Sequence, residues 1–189
     1  MLKITNKQYA DLLLNIEGDL VEGTKVGTTQ KSAKTPFSWS LLEVCETQQT
    51  AFKPHTIPGI VEVEDFDNGC PCDTYYDKDE NNAGGHYRKE VGIDIEVCAA
   101  GGYNTGWASS GEWTAYTVEV KKTGTYKLSI YVATTSDSGK LHVEVEGNNI
   151  TGSIAVPNTG GYQNWKPVSA SIELKQGPQV IKLVLDEAN

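Results

Sequence analysis

The chain has 189 residues, enough for one full domain and an appendage, and its 38% hydrophobic content can fill a two-layer core. Acidic residues outnumber basic ones 25 to 16, for a formal charge of −9, so a nucleic-acid partner would be repelled rather than steered in. No apolar run approaches the ~20 residues of a bilayer span, and Leu12–Leu14, beside Asp11, is too short for a secretory leader.

Residues 1–56 differ from the rest. Tyr9, Leu12, Leu13, Ile16 and Leu20 fall at helical spacing and predict a helix over Thr5–Leu20, with Thr5 or Asn6 as its cap. Gly23–Pro36 is polar and turn-rich, and Phe37–Cys45 (FSWSLLEVC) reads as a strand. Gln48–Pro58 reads as a linker stiffened by Pro54 and Pro58. This region is either the tail of a preceding domain or an extension packed on the rest of the chain.

From Gly59 the apolar period becomes two. VEVEDF, VGIDIEV, TAYTVEV, TYKLSIYVA, KLHVEVEG, SIAV, VSASIEL and QVIKLVL all read as strands. Turn signals separate the later ones: Thr123-Gly124, Asp137-Ser138-Gly139, Gly147-Asn148-Asn149, Thr159-Gly160-Gly161 and Gln176-Gly177-Pro178. Regular short strands of this kind predict an all-β fold, an antiparallel β-sandwich over 57–189. The chain ends just after its last strand, where a jelly roll normally adds one more, so a C-terminal truncation is expected.

Four features carry candidate chemistry. On a strand, Glu62 and Glu64 would share one face, and two adjacent carboxylates repel unless a cation lies between them. An oxygen-rich calcium site answers that, with Asn82 or a carbonyl near it as a further ligand; a solvated strand face paired with lysines is the plain alternative. The loop Asn81–Arg88 (NNAGGHYR) brings paired glycines beside Tyr87, a planar face that could meet the C–H side of a sugar ring. In Gly160–Trp165 (GGYQNW), Tyr162 is the exposed platform and Trp165 the buried ring. In Gly106–Trp113, Trp113 opens a strand and packs inward, while Trp107 fits either role.

Other signals are weaker. Cys70-Pro71-Cys72 lacks the partners of a zinc site; either Cys98 pairs with one of them or all three are free thiols. His86 and His142 have no nucleophile at recognisable spacing, and no Walker loop, GxSxG or HExxH is present. Asp94 and Glu96 form another same-face pair, but glycosidase carboxylates must oppose each other across a substrate. Asn149-Ile150-Thr151 is a formal glycosylation sequon.

Taken together, residues 58–189 resemble a family 6 carbohydrate-binding module. The resemblance rests on PGIVEVEDFDNG, NNAGGHYRKEVGIDIE, GGYNTGWASSGEWTAYTVEV, TGTYKLSIYVAT and GGYQNW, in that order. It implies a jelly-roll sandwich with a structural calcium. It also implies non-catalytic binding of xylan, cellulosic chains, β-1,3-glucans or agarose, in a secreted, monomeric module attached to a glycoside hydrolase. A small jelly-roll hydrolase or lyase using surface carboxylates is the alternative. In the family's cleft two aromatic residues clamp a sugar, and Tyr87 and Tyr162 match them; at the second position tryptophan is commoner. Trp107 is a further candidate. Glu62 and Glu64 match the calcium pair, with a carbonyl supplied near Asn82. The family's sugar-bonding asparagine comes after the penultimate strand, and Asn189 stands at or just before that point. The segment carrying it, with a late calcium-ligating aspartate, is expected to be missing. No membrane partner is implied.

Overall fold

The computed structural model describes residues 26–27, 38–39, 48–79 and 81–188. The chain falls into two compact units, Met1–Cys45 and Glu46–Asn189. In the first, β1 (Val26–Gly27) pairs antiparallel with β2 (Ser38–Trp39), which lies within the predicted Phe37–Cys45 strand. The helix predicted over Thr5–Leu20 lies outside the described residues.

The second unit is built from strands: β3 (His55–Ile57), β4 (Tyr75–Tyr76), β5 (Ile95–Val97), β6 (Tyr103–Thr105), β7 (Trp113–Val120), β8 (Gly124–Val132), β9 (Gly139–Val145), β10 (Asn148–Asn149), β11 (Ile154–Val156), β12 (Lys166–Leu174) and β13 (Gly177–Glu187). A seven-stranded sheet runs β10-β9-β13-β7-β3, with β11 added on β9 and β4 on β7. β8 pairs with β12 and β5 with β6. All these pairs are antiparallel except β3 with β7. The predicted period-two segments from Thr114 onward are all strands.

Alternation decides the core. Tyr116, Val118 and Val120 of β7 point inward and meet Ile172 and Leu174 of β12, with Phe66, Tyr75, Ile93 and Ile95 completing the cluster. Burying one such side chain contributes roughly 1.5–3 kcal/mol. The sandwich is less well covered elsewhere. Among the described residues β8 pairs only with β12. Its Tyr126 and Leu128, like Ile181 and Leu183 of β13, pack on the core yet stay half-buried.

Three expectations are corrected. The segment VEVEDF is not a strand: Val63–Asp65 is a 3-10 turn, closed by Asp65 N–H on the Glu62 carbonyl at 3.0 Å. The reason is Arg88, whose buried guanidinium donates to the carbonyls of Glu64, Phe66 and Asp67, acceptors that a ladder would otherwise use. Gln48–Pro58 does not stand apart as a linker. Thr50 bridges Asn68, Gln49 donates to Asp67 at 2.7 Å, and β3 lies along β7. Lastly, Cys70 is disulfide-bonded while Cys72 and Cys98 are free, so neither predicted cysteine arrangement occurs.

Candidate functional site

The β5–β6 hairpin sets Glu96 opposite Asn104. Asn104 Nδ2 donates to Glu96 Oε1 at 3.1 Å, and Gln163 reaches both residues from a distant loop. Its Nε2 donates to Glu96 Oε1 at 2.7 Å and to Asn104 Oδ1 at 3.2 Å, and its Oε1 accepts the Ala99 N–H at 2.8 Å. The loop carrying Gln163 is itself tied down. Thr159 exchanges bonds with Thr134, Asn158 Nδ2 donates to the Thr135 carbonyl, and Thr135 Oγ1 donates to the Tyr162 hydroxyl at 3.2 Å. Gly160, at φ +85°, makes the turn that lifts Tyr162 outward.

Around this polar centre two large aromatic rings stand open: Trp107 is 59% exposed and Tyr162 60%. Trp107 holds φ +46°, a left-handed conformation that is costly for a bulky residue and tends to mark functional positions. Its neighbour Gly106 lies beside Glu96 and Asn104: a Cβ there would sit 3.8 Å from Glu96 Oε1 and 3.9 Å from Asn104 Nδ2. Glu112, itself buried, anchors the next turn by accepting Ser109 N–H at 2.7 Å and Lys78 N–H at 3.2 Å. Trp107 thus resolves as an exposed ring, whereas Trp165, expected to be buried, and Trp113, expected to pack inward, are both only half-buried.

Tyr87, expected to offer a free face, is half-buried. Tyr103 stacks on it with centroids 4.8 Å apart, Phe52 meets it edge-on at 5.9 Å, and Lys53 Nζ stands 5.4 Å from its ring centre. Its hydroxyl donates to Asp65 Oδ1 at 2.7 Å. Sequence reasoning missed Phe52, Lys53 and Tyr103 because a contact across distant segments leaves no local spacing. Gly84 is required in this loop: any Cβ would sit 2.1 Å from the Ile95 carbonyl oxygen.

Glu62 and Glu64 do not share a strand face. The 3-10 turn leaves Glu62 exposed and buries Glu64. Burial pushes the Glu64 carboxyl upward, its own and the Tyr103 backbone N–H pull it down, and the Glu62 and Asp65 charges push it further up. Its Oε2 is buried without a hydrogen-bond partner. An orphaned carboxylate oxygen beside a second carboxylate fits a hard divalent cation. Among the described residues no group of three or more His, Cys, Asp or Glu is gathered for a metal, so carbonyls or water would complete the shell. Asn82 spends its side chain on its own loop and on β5: Oδ1 accepts Gly85 and Ile95 N–H, and Nδ2 donates to the His86 and Tyr87 carbonyls. Asn189 lies outside the described residues. Of the pair Asp94 and Glu96, buried Asp94 accepts the Ala83 N–H while Glu96 serves Gln163 and Asn104.

On the face of the large sheet is a concavity of about 320 Å³, lined in part by Trp113, Glu144, Lys182 and Gln49. Lys182 Nζ sits 3.8 Å above the Trp113 ring and 3.9 Å from Glu144. Glu144 also meets His142 at 3.2 Å, and Asp186 meets the other ring nitrogen at 2.7 Å.

A rigid β-sandwich with open aromatic rings and amide groups on its loops has the character of a ligand-binding module. The model of the family 6 carbohydrate-binding modules matches residues 84–189, and the chain belongs to that family, whose members bind without catalysis. A family 6 module from Clostridium stercorarium, solved with cellobiose, is 21% identical, with a TM-score of 0.55 over 71% of this chain and 89% of that one; it confirms the fold. The β-agarase AgaO of Microbulbifer thermotolerans is 31% identical over 111 residues, and the clotting factor G alpha subunit of Tachypleus tridentatus 26% over 102. These alignments cover 56% and 53% of this chain but only 9% and 15% of those proteins.

Proposed function

We propose that the module binds a neutral polysaccharide of the xylan, β-glucan or agarose class, and so holds a linked glycoside hydrolase at its substrate outside the cell. The observation that carries this reading is the pair of open rings, Trp107 and Tyr162, flanking the Glu96–Asn104–Gln163 centre. Aromatic faces bury the C–H side of a sugar, while other polar groups of the surrounding loops meet its hydroxyls. Tyr87, half-buried and stacked against Tyr103, is not counted among the open platforms. The similarity to a β-agarase places agarose among the polymers to test. Binding is by mass action: tethering raises the effective concentration of the attached enzyme at the polymer. Single-site affinity is expected to be weak, because a shallow site leaves hydroxyls partly hydrated. Glu62 and Glu64 are assigned to a structural calcium, with a carbonyl near Asn82 as a further ligand.

Affinity electrophoresis against xylan, hydroxyethyl-cellulose, laminarin, lichenan and agarose, with and without EDTA, tests the reading. Retardation by one polymer supports it and names the ligand class. Free migration in every gel overturns it, and sugar release from a soluble polymer would move the assignment to a hydrolase.

A further inference from the structure

The two open rings sit on separate loops, and one side chain joins the supports of both. Gln163 directly follows Tyr162, and its amide is engaged at both ends: Nε2 donates to Glu96 and Asn104, and Oε1 accepts from Ala99. These bonds span sequence separations of 59 to 67 residues, so they fix one loop upon another rather than shaping a local turn. Asn104 closes the far side by donating both to Glu96 Oε1 and to the Thr105 carbonyl, just before Gly106 and Trp107. An amide is what this centre demands. A carboxylate at 163 would face the Glu96 carboxylate, and an apolar residue would leave Glu96 and the Ala99 N–H without that partner.

We propose that Gln163 is a positioning residue: through Glu96, Asn104 and Ala99 it sets the separation of the Tyr162 and Trp107 platforms, and contributes to affinity without itself contacting sugar. This rests on the reading of those two rings as the carbohydrate platform. Preorganisation of this kind raises affinity by removing the cost of ordering the loops on binding.

The test is a charge exchange read in two ways. Gln163→Glu is expected to weaken binding of the retarding polymer by about tenfold or more, because it replaces a charge-assisted hydrogen bond by like-charge repulsion. Adding Glu96→Gln, which restores a donor opposite the introduced carboxylate, is expected to recover most of that loss. Loss in Gln163→Glu with no recovery in the double variant would show that Gln163 acts on the sugar directly and overturn the proposal. Hydrogen exchange without ligand supplies the second reading. In Gln163→Ala the amides of Ala99 and of residues 162–165 are expected to exchange faster, with those of β7 and β13 unchanged. Unchanged protection at Ala99 and 162–165 would sink the positioning role even if no polymer binds. Faster exchange with no binding in any gel would fault the carbohydrate reading instead.

Discussion

Trp107 and Trp113 belong to one short stretch of chain, yet they meet opposite circumstances. Trp107 comes after a glycine, in a left-handed turn, and projects into solvent over a loop centre of amides and one carboxylate. Trp113 opens β7, so the ladder to β13 fixes its direction and brings Lys182 over its ring. A ring capped by the protein's own cation is already satisfied, because the ammonium occupies the face a sugar would need. Aromatic identity therefore does not mark a platform; an open face does. The same contrast separates Tyr162 from Tyr87, one exposed and the other stacked against Tyr103.

The largest expected effect tests that contrast directly. Trp107→Ala and Tyr162→Ala should each reduce polymer affinity by about 2 kcal/mol or more, the scale of a binding hot spot, with the thermal midpoint unchanged. Trp113→Ala should leave affinity nearly intact and lower stability, by about 0.5–2 kcal/mol for the lost cation–ring contact. Isothermal titration and thermal unfolding on the three variants decide it. Retained binding in both loop variants, with loss in Trp113→Ala, would transfer the site to the sheet face.

Next in size is the cation. If calcium sits against Glu64, EDTA should lower the unfolding midpoint and excess calcium restore it. The Glu64→Gln variant should be insensitive to both, since the orphaned Oε2 and its charge are gone. The calcium titration is best monitored by differential scanning calorimetry. A wild-type midpoint indifferent to EDTA would remove calcium from Glu62 and Glu64.

Much of the sandwich was legible because strand alternation is local. TAYTVEV, TYKLSIYVA, VSASIEL and QVIKLVL each show period two, and each is a strand. VEVEDF has the same period and is a turn, because Arg88, 24 residues from Glu64, takes the backbone acceptors. The site divides in the same way. Tyr162 beside paired glycines could be read as exposed from sequence. The cover on Tyr87 could not, since Phe52, Lys53 and Tyr103 arrive from segments with no shared spacing. Glu96, too, was visible only as half of a carboxylate pair; its partners Asn104 and Gln163 come from β6 and a remote loop.

A smaller effect concerns the turn after Trp107. Asp77 is pushed up to about 6: burial raises it, the Asp79 N–H opposes, and the Glu112 and Asp94 charges raise it further. Glu112 is the residue that anchors that turn. A carboxyl raised on folding stabilises the fold while protonated, and that contribution is lost as pH rises through about 6. Asp77→Asn should therefore raise the unfolding midpoint above that pH, with the difference vanishing toward about pH 4. An equal gain at both ends would mean that the carboxyl does not titrate there.

The smallest expected effect lies on the sheet face. Burial alone would lower the His142 pKa, but bonds to Asp186 and Glu144 outweigh it and raise the group above its usual value. By linkage, its contribution to stability is fully present below the unfolded pKa of about 6.5 and is lost as pH rises through the higher folded value. His142→Gln should therefore be less stable than the parent at about pH 5.5 and match it in mildly alkaline buffer. Polymer affinity, held by Trp107 and Tyr162, should not change across that range. Thermal melts at several pH values, paired with affinity gels, check both halves. A binding change that tracks His142 would tie the sheet-face groove to the ligand, and the distinction between a capped and an open tryptophan would no longer locate the site.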